Sequence, residues 1–266
     1  MSDLKQGSLF ALRAREVDAA RVDLGDAAKV SERVRLGTMS WAYRGWAGIV
    51  YGDRVALKDM SELGLTAYSK HPLLRAVEVD RSYYEPLSAE TFEAYAGQVP
   101  DDFRFVVKAH EECTVRVFPT HARYGPKRGL ANDRYFDVAY AAEHVVGPTA
   151  AGLGPKLGAL LFQFPPQDVG EDVHSFADRV HAFLSRLPKG VRYAVELRKC
   201  RIAHASICRG ACGRWRGALS QHLVIDAIGA CAGEVHSTFG EEATSHPMAS
   251  ARRGLVRGGG VAVRSV

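Results

Sequence analysis

Five short apolar runs, each closing on polar or charged residues and each separated from the next by a helix-period segment, constrain this fold more than any other feature of the chain. The runs fall near residues 34–38, 76–80, 103–108, 157–164 and 191–197. Their β-branched and aromatic content marks buried strands. Between them, the apolar spacing near 58–68, 88–97, 133–146 and 172–187 predicts helices, with Ser88 and Asp133 as N-caps. Strands that alternate with helices run parallel, with the helices as crossovers. The segment Gly37-Thr38-Met39-Ser40-Trp41 is bulky where a dinucleotide fold needs Gly-x-Gly-x-x-Gly. Polar residues at every strand tip match the mouth of a (β/α)8 barrel. The expected fold is therefore α/β, a TIM-barrel-like (β/α) barrel, incomplete, with five recognisable βα units.

Parity then selects the side chains that face inward, because alternate residues of a strand project to one face. Thr38 ends the first strand, Glu78 and Asp80 the second, Lys108 the third, Gln163 the fourth, and Glu196 with Arg198 the fifth. Converging on one mouth, Glu78, Asp80 and Glu196 are candidate acid/base or metal-binding carboxylates, with Lys108 and Arg198 stabilising negative charge. Gln163 is a candidate ligand contact. The alternative is structural: Glu78 and Lys108 on neighbouring strands form a natural ion pair.

The loop after the first strand holds Trp41, Tyr43, Trp46 and Tyr51, and the second strand runs on into Ser82-Tyr83-Tyr84. Trp41, Tyr43 and Tyr84 are candidate substrate-stacking rings, while Trp46 and Tyr51 suit an apolar lid on the barrel. The third loop, 109–132, carries His110, Glu111, Glu112, Thr114, His121, Arg123, Lys127 and Arg128. A connection that long is commonly functional. His110 beside two acids suits a base or a metal ligand, yet a histidine without a spaced partner is more often solvent-facing. No metal or cofactor is identified.

The net charge of +5 resides in one part of the chain: residues 1–198 contain 26 Lys+Arg and 26 Asp+Glu, and residues 199–266 contain 9 and 4. The neutral body does not support nucleic-acid binding through charge; a small-molecule ligand is the partner expected. No run approaches the roughly 18 apolar residues of a membrane helix, and the charged N-terminus lacks the form of a secretory signal. The expectation is a cytoplasmic protein without membrane contact. The tail holds four of the five cysteines but only Trp215 and Phe239 of the aromatics. Its Cys208 and Cys212 lack the second pair that a zinc site needs. Three parts follow: a charged, partly helical N-terminal extension (1–32), a TIM-barrel-like domain (33–198), and an atypical Arg/Ala/Gly/Cys-rich tail (199–266) expected to be frameshifted or disordered.

The order of several motifs resembles the YecE-like family, domain of unknown function 72. They are Leu36 through Trp46, Val77-Glu78-Val79-Asp80-Arg81-Ser82-Tyr83-Tyr84-Glu85-Pro86, Phe103 through Lys108, Leu153-Gly154-Pro155-Lys156-Leu157 with Leu161-Phe162-Gln163-Phe164-Pro165-Pro166, and Tyr193 through Arg198. The resemblance implies a TIM-barrel-like fold, a polar pocket at the strand ends and no established reaction. Asp80 stands where the family usually has Asn, and Ser40 where it has Gly. After Arg198 the family's later motifs are not legible, so a reading-frame shift near Arg198 to Lys199 is expected. Strand-like sequence carrying those motifs should appear when the other two frames of the gene are translated downstream of codon 198; its absence removes the idea. The function expected is an enzyme acting on a small molecule, sugar or nucleotide at the strand tips, the alternatives being a non-catalytic ligand- or nucleic-acid-binding protein or a non-functional truncated product.

Overall fold

The computed structural model describes residues 16–198, apart from residues 24, 26–29, 32–33, 54 and 168–171, together with two strands at 222–226 and 260–264. In chain order the main elements are β1 (Val34–Thr38), α1 (Leu57–Ser69), β2 (Leu74–Val79), α2 (Ala89–Ala96), β3 (Arg104–Lys108), α3 (Val138–Ala141), α4 (Gly147–Leu153), β4 (Leu157–Phe164), α5 (Val173–Arg186), β5 (Arg192–Leu197), β6 (His222–Asp226) and β7 (Gly260–Arg264). The sheet order is β6-β5-β4-β3-β2-β1-β7. Strands β1 to β5 are sequential parallel neighbours, and they curl into a half-barrel with helices between them, an incomplete TIM-barrel-like α/β fold. Its two edges carry antiparallel strands, β6 on β5 and β7 on β1. Both lie in the segment read as an atypical or frameshifted tail; the rest of 199–266 lies outside the described residues.

Strand alternation produces two distinct packing faces. Val77, Val79, Phe105, Val107, Leu160, Phe162, Phe164, Tyr193 and Val195 join the main core with the helices. Val106, Ala159, Leu161 and Ala194 form a second buried cluster on the other face. Strands covered on both faces become continuous apolar runs, which is why period two was absent from the sequence there. α1 buries Met60, Leu65 and Tyr68. Tyr68 extends its hydroxyl to the β1–β2 seam, 2.8 Å from Thr38 Oγ1, and donates to the Ala76 carbonyl.

Ser88 caps α2 as expected, accepting from the Thr91 amide at 3.3 Å. Asp133 does not cap the next helix. Asp137 does, accepting from the Ala139 and Tyr140 amides. Phe136 immediately before it adopts φ +62°, a left-handed turn that prevents a helix from starting at Asp133 and running through. Gly152 brings α4 against α2: a β-carbon there would lie 2.3 Å from the Ala89 carbonyl oxygen, so only glycine permits this approach. Of the N-terminal extension, residues 16–23 show no helix; they run beside the β1 loop, with Ala20 donating to Val50 and Gly52 to Asp18. Residues 1–15 lie outside the described residues.

Candidate functional site

β2 and β3 meet with Glu78 opposite Val106, and β4 and β5 with Gln163 opposite Glu196. This register places the polar tips on the concave face above the Val106, Ala159, Leu161 and Ala194 floor. Glu78, Lys108, Gln163 and Glu196 are all buried. Lys108 Nζ lies 2.8 Å from Glu78 Oε1 and also contacts Asp80 Oδ1. Both members of the Lys108–Glu78 pair are 4% exposed, whereas the Asp80 side chain is 33% exposed. Lys108 is the close partner of Glu78 Oε1, deep in the cup. Gln163 Nε2 donates to Glu196 Oε2, and Arg198 Nε donates to Glu196 Oε1 at 3.0 Å.

The electrostatics of the two groups differ. Burial pushes the Glu78 carboxyl above the ordinary glutamate range; Lys108 opposes this, and the negative charges of Asp80 and Glu196 add to it. Glu196 is thus close enough to Glu78 to add to this shift. Burial by itself would pull the Lys108 ammonium down, but Glu78 and Asp80 outweigh it and raise its pKa. Asp80 follows the end of β2 and opens the short turn Arg81–Tyr83, which explains its greater exposure. Within that turn, Ser82 Oγ lies 2.9 Å from the Val79 carbonyl and 2.7 Å from that of Lys108. It staples the β2 exit to the β3 tip. The sequence marks Ser82 only as the hydroxyl that follows a carboxylate-tipped strand, without a role.

The aromatic candidates divide. Trp41 is buried in the main core, edge-on to Tyr95 of α2 at 5.0 Å, with its indole donating to the Ser61 carbonyl. It is not brought to the polar cup, because α1 and α2 offer it an apolar seat. Tyr51 is likewise core, and Trp46 packs partly buried against that core. Tyr43 and Tyr84 stay exposed, at 54% and 56%. They belong to a wider pattern: the large exposed apolar side chains among the described residues are Met39, Tyr43 and Ile49 after β1, Leu57 opening α1, Tyr84 after β2, and Val117 and Leu130 after β3. Apart from Leu57, which opens α1, they lie on connections leaving the tips of the strands, the side where a barrel binds its ligand.

His110 departs from the solvent-facing expectation. It is buried, with Nδ1 2.7 Å from Tyr140 Oη, a further hydrogen bond to the Tyr84 backbone, and a pKa lowered by burial. Its Nδ1 is thus engaged by Tyr140 rather than presented to the cup. No group of three or more His, Cys, Asp or Glu side chains arranged to hold a metal ion occurs among the described residues. Glu111 and Glu112 are also buried, held by Arg123 and by Lys127 and Arg134 respectively. The run of basic residues after two adjacent acids was the sequence signal for this pairing. No helix among the described residues is long and apolar enough to cross a membrane.

Residues 35–237 match the family model "Protein of unknown function DUF72". The UPF0759 protein YunF of Bacillus subtilis (strain 168) is 32% identical over 124 residues, which are 44% of this chain and 38% of YunF. The match therefore spans well under half of that relative's length. Crystal structures of DUF72 family proteins are similar at lower identity. One from Enterococcus faecalis V583 is 19% identical with a TM-score of 0.42, covering 66% of this chain and 54% of its own. One from Thermotoga maritima MSB8 is 22% identical with a TM-score of 0.41, covering 61% and 54%. With its motifs in order along β1 to β5 and the family model matched over 35–237, the chain belongs to the DUF72 family, whose function is uncharacterised.

Proposed function

We propose that the strand-tip cup is an active site that moves protons on a small polar molecule of the sugar or nucleoside type. The observation that carries this reading is the unequal setting of two carboxylates in one cup. Glu78 is buried, with its pKa raised by burial, while Glu196 is gripped by Arg198 and Gln163. Carboxylates in environments that differ in this way divide into acid and base. In this reading Glu78 is the proton donor, and Glu196, held by Gln163 and Arg198, is its partner carboxylate. Lys108, held as an ammonium by two carboxylates, offers charge stabilisation rather than amine nucleophilicity. The cup sets three carboxylates, Glu78, Asp80 and Glu196, against two cations, Lys108 and Arg198, so it holds no surplus of positive charge and suits an uncharged, hydroxyl-rich ligand rather than a polyanion. The equal counts of acidic and basic residues in 1–198 disfavour a polyanionic one.

Neutral sugars and nucleosides that raise the melting temperature of the full chain identify ligands, and their turnover is then followed against pH. A donor works only while protonated, so the rate should be highest at low pH and fall as pH climbs through the raised Glu78 pKa. A rate that is flat or rising across that range counts against Glu78 as donor. Binding without turnover at any pH, in this chain and in YunF, favours a ligand-binding protein without chemistry.

A further inference from the structure

The 109–132 connection leaves β3 beside Lys108 and is built in two parts of different character. Its neck is stitched by backbone: Val117 bridges Ala131, Phe118 donates to Leu130 at 3.0 Å, Gly129 donates to Phe118 at 2.9 Å, and Asn132 donates to Arg116 at 3.0 Å. Asn132 Nδ2 fastens the base to the Glu112 and Val115 carbonyls at 2.8 and 2.7 Å. The tip beyond the neck is different. None of its residues from Ala122 to Lys127 is buried. It is held to the domain by charge: Arg123 Nη2 lies 2.5 Å from Glu111 Oε2, Tyr124 Oη donates to the same oxygen at 2.9 Å, and Lys127 Nζ lies 2.7 Å from Glu112 Oε1. Gly125 and Gly129 have φ of +50° and +73° with nothing close to a β-carbon position, so the chain can redirect there at little cost.

The anchor points show what the tip covers. Arg123 stacks over the Tyr84 ring with its guanidinium carbon 4.9 Å from the centroid. Tyr84 ends the turn that begins at Asp80, and Asp80 is the solvent-facing wall of the Lys108 cage. We propose that residues 119–128 form a strap over the Asp80 side of the cup, closed by a two-carboxylate latch of Glu111 with Arg123 and Glu112 with Lys127, and opened when these ion pairs are exchanged for water. The two acids are buried and fixed on the turn Glu111–Cys113, whereas their cations sit on the strap. This asymmetry makes the strap the part that moves. The inference rests on the acid–base reading only for the purpose of the cover; the opening itself is a property of the unliganded chain.

Hydrogen–deuterium exchange on the full chain tests the strap without a substrate, so its failure is separate from any failure of the acid–base reading. Arg123→Ala should speed exchange of strap amides by about tenfold while β3, β4 and β5 keep their protection. Arg123→Lys, which keeps the charge but loses the planar stack, should fall between. In the unmodified chain, raising salt from about 0.05 M to about 0.5 M should speed the strap alone, because partly exposed ion pairs are screened. Strap protection unchanged in Arg123→Ala and at high salt would overturn the latch. Exchange rising equally in β3 and β4 would also overturn it, by showing the Glu111 pair to be part of the core.

Discussion

Glu78→Gln is expected to leave the domain folded and to lower turnover of any substrate of the cup by about 100- to 10,000-fold, the range spanned by removal of a positioned general acid. Glutamine has nearly the same shape and still presents an acceptor to Lys108, whose ammonium retains Asp80. What it loses is the transferable proton. The same substitution carries a stability signature. Because Glu78 has a raised pKa when folded, the native state binds its proton more tightly than the unfolded chain does. Between the ordinary glutamate pKa and the raised one, the native state therefore holds more protons, and stability falls as pH rises through that window. Glu78→Gln should flatten this slope and be as stable as the unmodified chain, or slightly more so, above it. Urea denaturation at several pH values together with a steady-state assay reads both effects. Unchanged turnover sinks the donor role, and an unchanged pH slope sinks the electrostatic account of Glu78.

Lys108→Met should produce the largest loss of stability, about 3–5 kcal/mol at neutral pH, the cost of leaving a buried charge without its partner. Methionine replaces most of the aliphatic stem, so the loss is not chiefly a packing effect. It leaves Glu78 facing the negative charges of Asp80 and Glu196 with no cation between them. The raised pKa of Lys108 has the corresponding sign: its contribution is complete below the unfolded lysine pKa of about 10.4 and fades only as pH rises through the still higher folded value. At neutral pH the whole of it is at stake. Acidification should shrink the defect, since a protonated Glu78 needs no counter-ion, and adding Glu78→Gln to Lys108→Met should recover a large part of the loss. A double variant as unstable as the single one would mean that Lys108 stabilises the fold through packing, not charge.

The legible part of this protein was whatever depends on a short, rigid period. Alternation along β2 to β5 fixes which side chains share a face, and so Glu78, Lys108, Gln163 and Glu196 could be grouped from spacing alone; the register pairs bear this out. The Ser88 cap was equally local, one hydroxyl and one amide three residues on. Features that depend on chain path were hidden. Asp133 and Asp137 are both plausible caps by composition, and the choice between them came from the left-handed Phe136, whose ring packs among Phe164, Phe176 and Phe183. Trp41 follows a strand tip just as Tyr43 does, but a Tyr95 ring on α2 draws it into the core. His110 and its neighbouring acids read as a polar loop because their partners, Tyr140, Arg123, Lys127 and Arg134, are between 12 and 30 residues away.

By itself, then, the sequence determined the parallel order of five strands, the neutral charge balance of residues 1–198, and the set of ionisable groups at the strand tips. All of these follow from backbone period and composition. Tertiary structure alone decided how those groups share charge: Lys108 clamped by two acids, Glu196 claimed by Gln163 and Arg198, and Glu111 and Glu112 locked by a returning loop. Burial and distance set the strength of a charge's interactions, and neither has a value until distant segments of chain have been brought together.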